Sequence, residues 1–496
     1  MNILVAASEA VPFAKTGGLA DVAGALPRAI EALGHAATVV MPCYADARRG
    51  RAIAPTDFRV HVPIGKKQVA ADVHCATLPA SDVTVYLIDQ PDYFNRNGLY
   101  GEKGKDYQDN CERFVFFTRA VLELARQLPV EFDVIHANDW QTGLLPVYLD
   151  EMYRGSRLRN TATLFTIHNL AYQGRFWHWD MLLTGLDWRL FNWRQLEFFG
   201  HLNMLKGGIV FADAISTVSR QYASEIQTPE FGCGLDGVLQ GRKADLRGIV
   251  NGIDYSVWNP DSDPQIAATY NDDTFVRGKP ICKEALQREH RLRVTPETPL
   301  FAMVTRLDDQ KGLDLVAAVA EEFLSSDVQL VVLGTGQPKY HAMFEEFTRR
   351  FVGKVGLSLK FDEAQAHRIY AGADILLMPS RYEPCGLNQL ISLRYGTVPL
   401  VRATGGLADT IVDCTPDALA AGAATGFAFE PYTSAALLGC VRRALGLWPQ
   451  RESWLRLVHN GMRQDWSWTR SAIEYVKLYE QLRSRRAETV LSTAPH

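Results

Sequence analysis

The chain has 496 residues, enough for two or three domains with sizeable cores, and its 47% hydrophobic and 22% charged residues match an ordinary globular protein. A formal charge of −4, from 52 Lys and Arg against 56 Asp and Glu, gives no whole-molecule reason to expect nucleic acid or an anionic membrane surface as partner. Apolar runs such as Ile375–Met378 are short, and none approaches a membrane span. The first residues, Met1-Asn2-Ile3-Leu4-Val5, read as a strand and not as a signal peptide. Cysteines at 43, 75, 111, 233, 282, 385, 414 and 440 form no CxxC pair, which predicts reduced thiols, no zinc site and a cytoplasmic protein.

In chain order, Val- and Ile-rich runs predict strands at Ile3–Ala7, Asp133–His136, Leu164–His168, Ala214–Val218 and Gly248–Val250. Further strands are expected at Leu300–Thr305, Val328–Leu333, Asp374–Pro379 and Val398–Val401. Such runs, lacking alternation and separated by helical stretches, belong to an α/β doubly wound sheet covered on both faces. Thr16-Gly17-Gly18-Leu19-Ala20-Asp21 recurs letter for letter at Thr404–Asp409, each copy between a strand-like run and a helix-like one. That echo implies two similar halves, each with a Gly-rich loop. Turn signals at Asn251-Gly252 and Asn259-Pro260 predict the boundary, giving a first domain over 1–250 and a second over 251–463. A final helix over 464–485 is expected to return to the first domain, followed by a disordered tail over 486–496.

Several strand ends carry chemistry. Lys15 beside Gly17 and Gly18 can cradle a diphosphate at a helix start, or it is a solvated loop lysine. Arg306 and Lys311 follow a strand and are spaced to converge on a phosphate pair, although an ion pair with Asp308 or Asp309 fits equally. Glu383 lies on a tight loop with Pro384, Cys385, Gly386 and Leu387. Asp139 and His168 end two strands of the first half and share one sheet edge with Lys15. The aromatics Tyr172, Phe176, Trp177, Trp179, Trp188, Phe191, Trp193, Phe198 and Phe199 crowd one segment, where core packing is the favoured reading over sugar stacking.

These motifs resemble bacterial glycogen and starch synthases, in order from residue 1 to about 480. The resemblance rests on Lys15–Val22, His136–Trp140, His168–Gly174, Arg306–Gly312, Glu383–Leu387 and Tyr395–Pro399 leading into the second Thr-Gly-Gly. It implies a GT-B fold of two Rossmann-like domains facing a cleft. It implies transfer of glucose from ADP-glucose to the non-reducing end of an α-1,4-glucan such as glycogen, with retained configuration and no metal or other cofactor. By resemblance, Lys15, Gly17 and Gly18 border the donor, and Arg306 and Lys311 bind its diphosphate. Thr404, Gly405, Gly406 and Leu407 supply phosphate contacts, while Glu383, Cys385, Gly386 and Leu387 form the sugar pocket. Phe361 stacks on adenine, and Asp139 and His168 sit beside the transferred sugar. Asp109, Asn110 and Arg113 resemble the acceptor loop.

Three positions depart from the family pattern: Asn138 stands for a histidine, Asn388 for a threonine, and Gln337-Pro338-Lys339 lacks the usual acidic residue. Three rival readings remain at this level. They are a transferase using UDP-glucose or a small acceptor, a glycoside hydrolase built on Asp139 and Glu383, and a non-catalytic glucan-binding protein.

Overall fold

The structure, a computed structural model, describes residues 1–49, 52–102 and 104–492. The chain divides into two compact units, one formed by Met1–Asn251 with Trp468–His496, the other by Gly252–Ser467.

The first unit is built on a nine-stranded sheet. Its strands are β1 (Asn2–Ala6), β2 (Ala36–Pro42), β3 (Ala54–Ile64), β4 (Lys67–Thr77), β5 (Thr84–Asp89), β6 (Val134–Asn138), β7 (Ala162–Ile167), β8 (Ala214–Thr217) and β9 (Leu246–Gly248). Their spatial order is β9-β8-β7-β6-β1-β2-β5-β4-β3. Pairing is parallel from β9 to β5 and antiparallel across β5-β4-β3. β6 and β7 are buried along their whole length, as strands covered on both faces require. Strand order reverses beside β1: the chain proceeds to β2 on one side and later to β6 on the other. Loops leaving β1 and β6 therefore flank a crevice at the carboxyl edge of the sheet, where open α/β sheets bind ligands. The sheet is larger than the sequence suggested. The β3–β4 hairpin alternates exposed and buried residues at the sheet margin, a pattern unlike the solid apolar runs used to find the other strands.

The second unit has a six-stranded parallel sheet. Its strands are β10 (Leu300–Val304), β11 (Gln329–Leu333), β12 (Val355–Ser358), β13 (Ile375–Met378), β14 (Val398–Arg402) and β15 (Phe427–Phe429), in the order β12-β11-β10-β13-β14-β15. Here the reversal lies between β10 and β13. The loops that follow these two strands are those of Arg306–Lys311 and Glu383.

Four helices matter to the sites: α1 (Gly18–Ala32) and α2 (Asn110–Gln127) in the first unit, α3 (Gly405–Thr410) in the second, and α4 (Trp468–Ser492) in the first again. α4 continues through Ser492 where a disordered tail was expected from 486, and residues 493–496 lie outside the described residues. The extension is held by Arg486, which donates to the Arg159 carbonyl at 3.0 and 3.1 Å, and by Arg485 beside Asp245. Earlier in α4, Tyr479 meets the fully buried His136 of β6, with His136 Nδ1 and the hydroxyl 2.8 Å apart.

Candidate active site

In the first unit, the loop leaving β1 is organised by a residue that the sequence did not single out. Glu9 is buried, and its carboxylate accepts from the Thr16 amide at 2.5 Å, the Thr16 hydroxyl at 2.6 Å, the Gly17 amide at 3.3 Å and the Tyr100 hydroxyl at 2.6 Å. Four donors on one buried carboxylate offset its loss of water. Glu9 therefore latches the turn that carries Lys15 and delivers Gly17 to the N-cap of α1, with Gly18 as the first helical residue. A polar pair, Ser8-Glu9, directly after a buried strand was the available signal. Lys15 reaches back to Asp21 at 2.7 Å, with its side chain 37% exposed.

Asp139 and His168 come together as expected of one sheet edge. Asp139 adopts φ 57° and ψ −178°, a left-handed backbone rare outside glycine and typical of strained functional positions. Its carboxylate accepts from the His168 amide at 2.7 Å and from the Asn169 amide. Burial outweighs those bonds and pushes the Asp139 pKa up to about 7. His168 Nε2 lies 2.9 Å from Asn138 Oδ1, and burial pushes its imidazole down to about 3, so the ring is neutral.

Two of the three acceptor-loop candidates are buried. Arg113 is 0% exposed and donates to the Tyr93 carbonyl, the Asn110 side chain and the Leu99 carbonyl. Asn110 is likewise buried and donates to the Tyr100 carbonyl at 2.8 Å. Both residues brace the 93–110 segment and thereby hold Tyr100 against Glu9. Asp109 is the more exposed of the three, and it takes a two-pronged ion pair from Arg96 at 2.6 and 2.8 Å. The aromatic segment departs from expectation. Trp177, Trp179, Trp193, Phe199 and Tyr172 are exposed, Trp193 by 71%, so most of that cluster is surface and not core.

In the second unit, Lys311 and Glu383 face each other across the reversal point. Their Nζ and Oε2 are 2.7 Å apart, both side chains are largely buried, and the Ser380 hydroxyl donates to the same oxygen at 2.9 Å. Arg306 is more exposed, pairing with Asp308 at 3.1 Å and donating to Gln310 at 3.1 Å. The Gly334–Lys339 stretch braces this loop: Leu307 and Thr335, and then Gln337 and Leu307, bond backbone to backbone at 2.9 and 2.7 Å, and Lys339 lies 2.5 Å from Asp309. The unusual Lys339 thus ties two loops together through Asp309. Asn388 donates to the Val304 carbonyl, joining the end of β10 to the loop after β13. Phe361 stands 80% exposed just before a short helix, free to offer a ring face.

Thr404 is the N-cap residue of α3. Gly405, at φ +47°, and Gly406 press against the Glu383–Cys385 backbone, where an added Cβ would lie 1.9 Å from the Glu383 and Cys385 carbonyl oxygens respectively. The Gly406 amide donates to the Glu383 and Pro384 carbonyls at 3.0 and 3.1 Å, and the Leu407 amide to Thr404 at 3.0 Å. Those two amides are therefore occupied within the protein. The glycines seat the loop bearing Glu383, the buried Cys385, Gly386 at φ +69° and the half-buried Leu387. Among the described residues no group of three His, Cys, Asp or Glu could hold a metal ion, and no helix is long and apolar enough to cross a membrane.

Comparison with known proteins gives a consistent picture. The family described as starch synthase catalytic domain matches residues 2–241, and the family of glycosyl transferases group 1 matches residues 287–456. The glycogen synthase of Anaeromyxobacter dehalogenans strain 2CP-C is 48% identical over 485 residues, covering 97% of this chain and 100% of that one. That of Rhodopirellula baltica is 44% identical, covering 97% of each. Among solved structures, the catalytic domain of starch synthase IV from Arabidopsis thaliana, bound to ADP and acarbose, superposes with a TM-score of 0.90 at 33% identity, covering 97% of this chain and 99% of that one. Sucrose-phosphate synthase from Thermosynechococcus elongatus, at 17% identity, TM-score 0.60 and 98% and 99% coverage, shares the fold alone. At that identity over nearly the whole of both chains, the protein belongs to the glycogen synthase family, with the GT-B fold.

Proposed function

We infer that the protein is a retaining glucosyltransferase that moves glucose from ADP-glucose to the non-reducing end of an α-1,4-glucan and releases ADP. The observation that carries this reading is the placement of Arg306, Lys311 and Glu383 on the two loops beside the strand-order reversal of the second unit. The hard step is departure of ADP from an anomeric carbon that becomes cationic. Two preplaced cations stabilise the leaving diphosphate, the charge that grows in the transition state. In this reading Arg306 and Lys311 supply what a divalent ion would otherwise supply. Glu383, fixed by Lys311 and Ser380, accepts from glucose hydroxyls, with Cys385, Gly386 and Leu387 closing around the sugar and Phe361 stacking on the base.

Lys15, carried by the Glu9-latched turn, adds positive charge toward the donor, with Gly17 and Gly18 leaving room for it. Asp139 and His168 border the transferred sugar. Retention without an enzymic nucleophile is met by attack on the face from which ADP departs, a phosphate oxygen taking the acceptor proton. The glucan partner is the polymer itself, and the exposed Trp177, Trp179 and Trp193 offer ring faces of the kind that stack on sugars. The deciding experiment measures ADP or UDP release from ADP-glucose and UDP-glucose, each with and without glycogen. Glycogen-dependent release from ADP-glucose is expected. Glucan hydrolysis without any nucleotide, or a small sugar replacing glycogen, would overturn the assignment.

A further inference from the structure

Asn138 and Asp139 are consecutive residues at the end of β6, and both reach His168 at the end of β7. Asp139 holds the backbone amide of His168, and Asn138 holds its ring. The Asn138 side chain is buried and its bonding is complete. Its amide group donates to the Ala6 carbonyl at 3.1 Å and the His136 carbonyl at 3.3 Å, and its oxygen faces His168 Nε2 at 2.9 Å. Turning the amide over would set its oxygen against two carbonyl oxygens, so chemistry fixes its orientation. An oxygen acceptor facing Nε2 requires that Nε2 carry the proton of the neutral ring. Nδ1 is then a lone pair, and among the described residues no protein group donates to it.

We propose that Asn138 is a positioning residue that fixes His168 as the Nε2–H tautomer and so presents Nδ1 as an acceptor for a hydroxyl of the transferred sugar. The proposal rests on the reading that His168 borders that sugar. Its chemical sense is electrostatic. A hydroxyl that donates to Nδ1 keeps electron density on its oxygen while the sugar ring becomes cationic, whereas an N–H at the same spot would draw that density away.

The test uses the full chain labelled with nitrogen-15 histidine, the His168 signals being those lost in His168→Gln. Near neutral pH the wild-type ring should show a protonated Nε2 and a bare Nδ1, with Nδ1 shifting when ADP-glucose binds. In Asn138→Leu the two nitrogen shifts should converge as the tautomers mix. Turnover should then fall about tenfold, as it does when an orienting partner is removed. KM for ADP-glucose should change less than about threefold, the mark of an interaction realised in the transition state. A wild-type ring protonated on Nδ1 overturns the proposal, and so does an Asn138→Leu chain with unchanged shifts and turnover. If that variant does not fold, the wild-type spectrum and its response to ADP-glucose decide. Unimpaired turnover of His168→Gln would instead sink the reading that His168 touches the sugar, independently of the tautomer.

Discussion

The six residues Thr-Gly-Gly-Leu-Ala-Asp occur twice, and the two copies do different work. At 16–21 the first glycine has open space: an added Cβ on Gly17 would meet nothing within 4 Å, and the turn is held from outside by the Glu9 carboxylate. At 404–409 the glycines are themselves the contact, pressed within carbonyl reach of Glu383 and Cys385. The first loop is thus a tethered turn with open space beside it, and the second is a packing joint that sets the Glu383 carboxylate. Identical letters fix identical backbone permissiveness, and the neighbours decide what it is used for.

The sharpest way to break this comparison is to give each loop a methyl group. Gly406→Ala must displace the Glu383 loop by an ångström or so, and turnover should fall about a hundredfold or more. Gly17→Ala should leave the melting temperature unchanged. Equal thermal destabilisation of both variants would show that the first loop is packed after all.

Charge removal should separate the cations next. Arg306→Ala and Lys311→Ala should each lower kcat by about 10²–10³. Lys311→Ala also strands the enclosed Glu383 carboxylate, a loss on the order of 3 kcal/mol in a denaturant titration. Arg306, being exposed, should change stability by no more than about 0.5 kcal/mol. Equal stability effects would contradict the pairing of Lys311 with Glu383.

Glu9→Gln probes the tether. It keeps the shape but weakens four charge-assisted bonds, so a stability loss of about 1.5–3 kcal/mol and a raised KM for ADP-glucose are expected. Wild-type KM would mean that the latch does not govern Lys15.

Acidification should act through buried imidazoles of the first unit. Burial lowers the folded pKa values of His136 and His168 to about 3 from an ordinary 6.5, so the unfolded chain binds more protons between those limits. Their unfavourable effect is absent above about 6.5 and grows as pH falls toward 3, while Asp139, raised to about 7, opposes it as a single group. Melting temperature should therefore drop from pH 7 to pH 4.5, and His136→Gln should flatten the drop. An unchanged slope would exclude His136 as a cause. The smallest expected effect is that of chelation: if Arg306 and Lys311 neutralise the diphosphate, activity should survive EDTA, and loss restored by Mg²⁺ would refute that role.

Much of this was legible in the letters, for definite reasons. Buried parallel strands such as β6, β7 and β10 are written as largely apolar runs without alternation, so their carboxyl ends, and with them Asp139, His168 and Arg306, could be placed on the fold. The partners of Glu9 were not legible beyond its polar position after β1, because it accepts from residues seven, eight and ninety-one positions away. The setting of Arg113 was hidden for a related reason: three of its donors go to groups 3, 14 and 20 positions away, which no local pattern shows. The aromatic cluster could not be resolved either, since exposure of Trp193 or Phe199 depends on short strands at 175–177, 197–198 and 201–203 that carry too few residues for periodicity.

Because α4 belongs to the unit begun by Met1, the second unit is an insertion, and its two crossing points lie side by side where Ile253 bridges Ser467. During synthesis the first unit emerges with His136 uncovered, and Tyr475 and Tyr479 arrive only after the whole of 252–467 has been made. The inserted unit can therefore fold to completion while its host is still unfinished. The first unit, begun first, is the last to receive all of its chain, unlike domains that are each complete before the next begins.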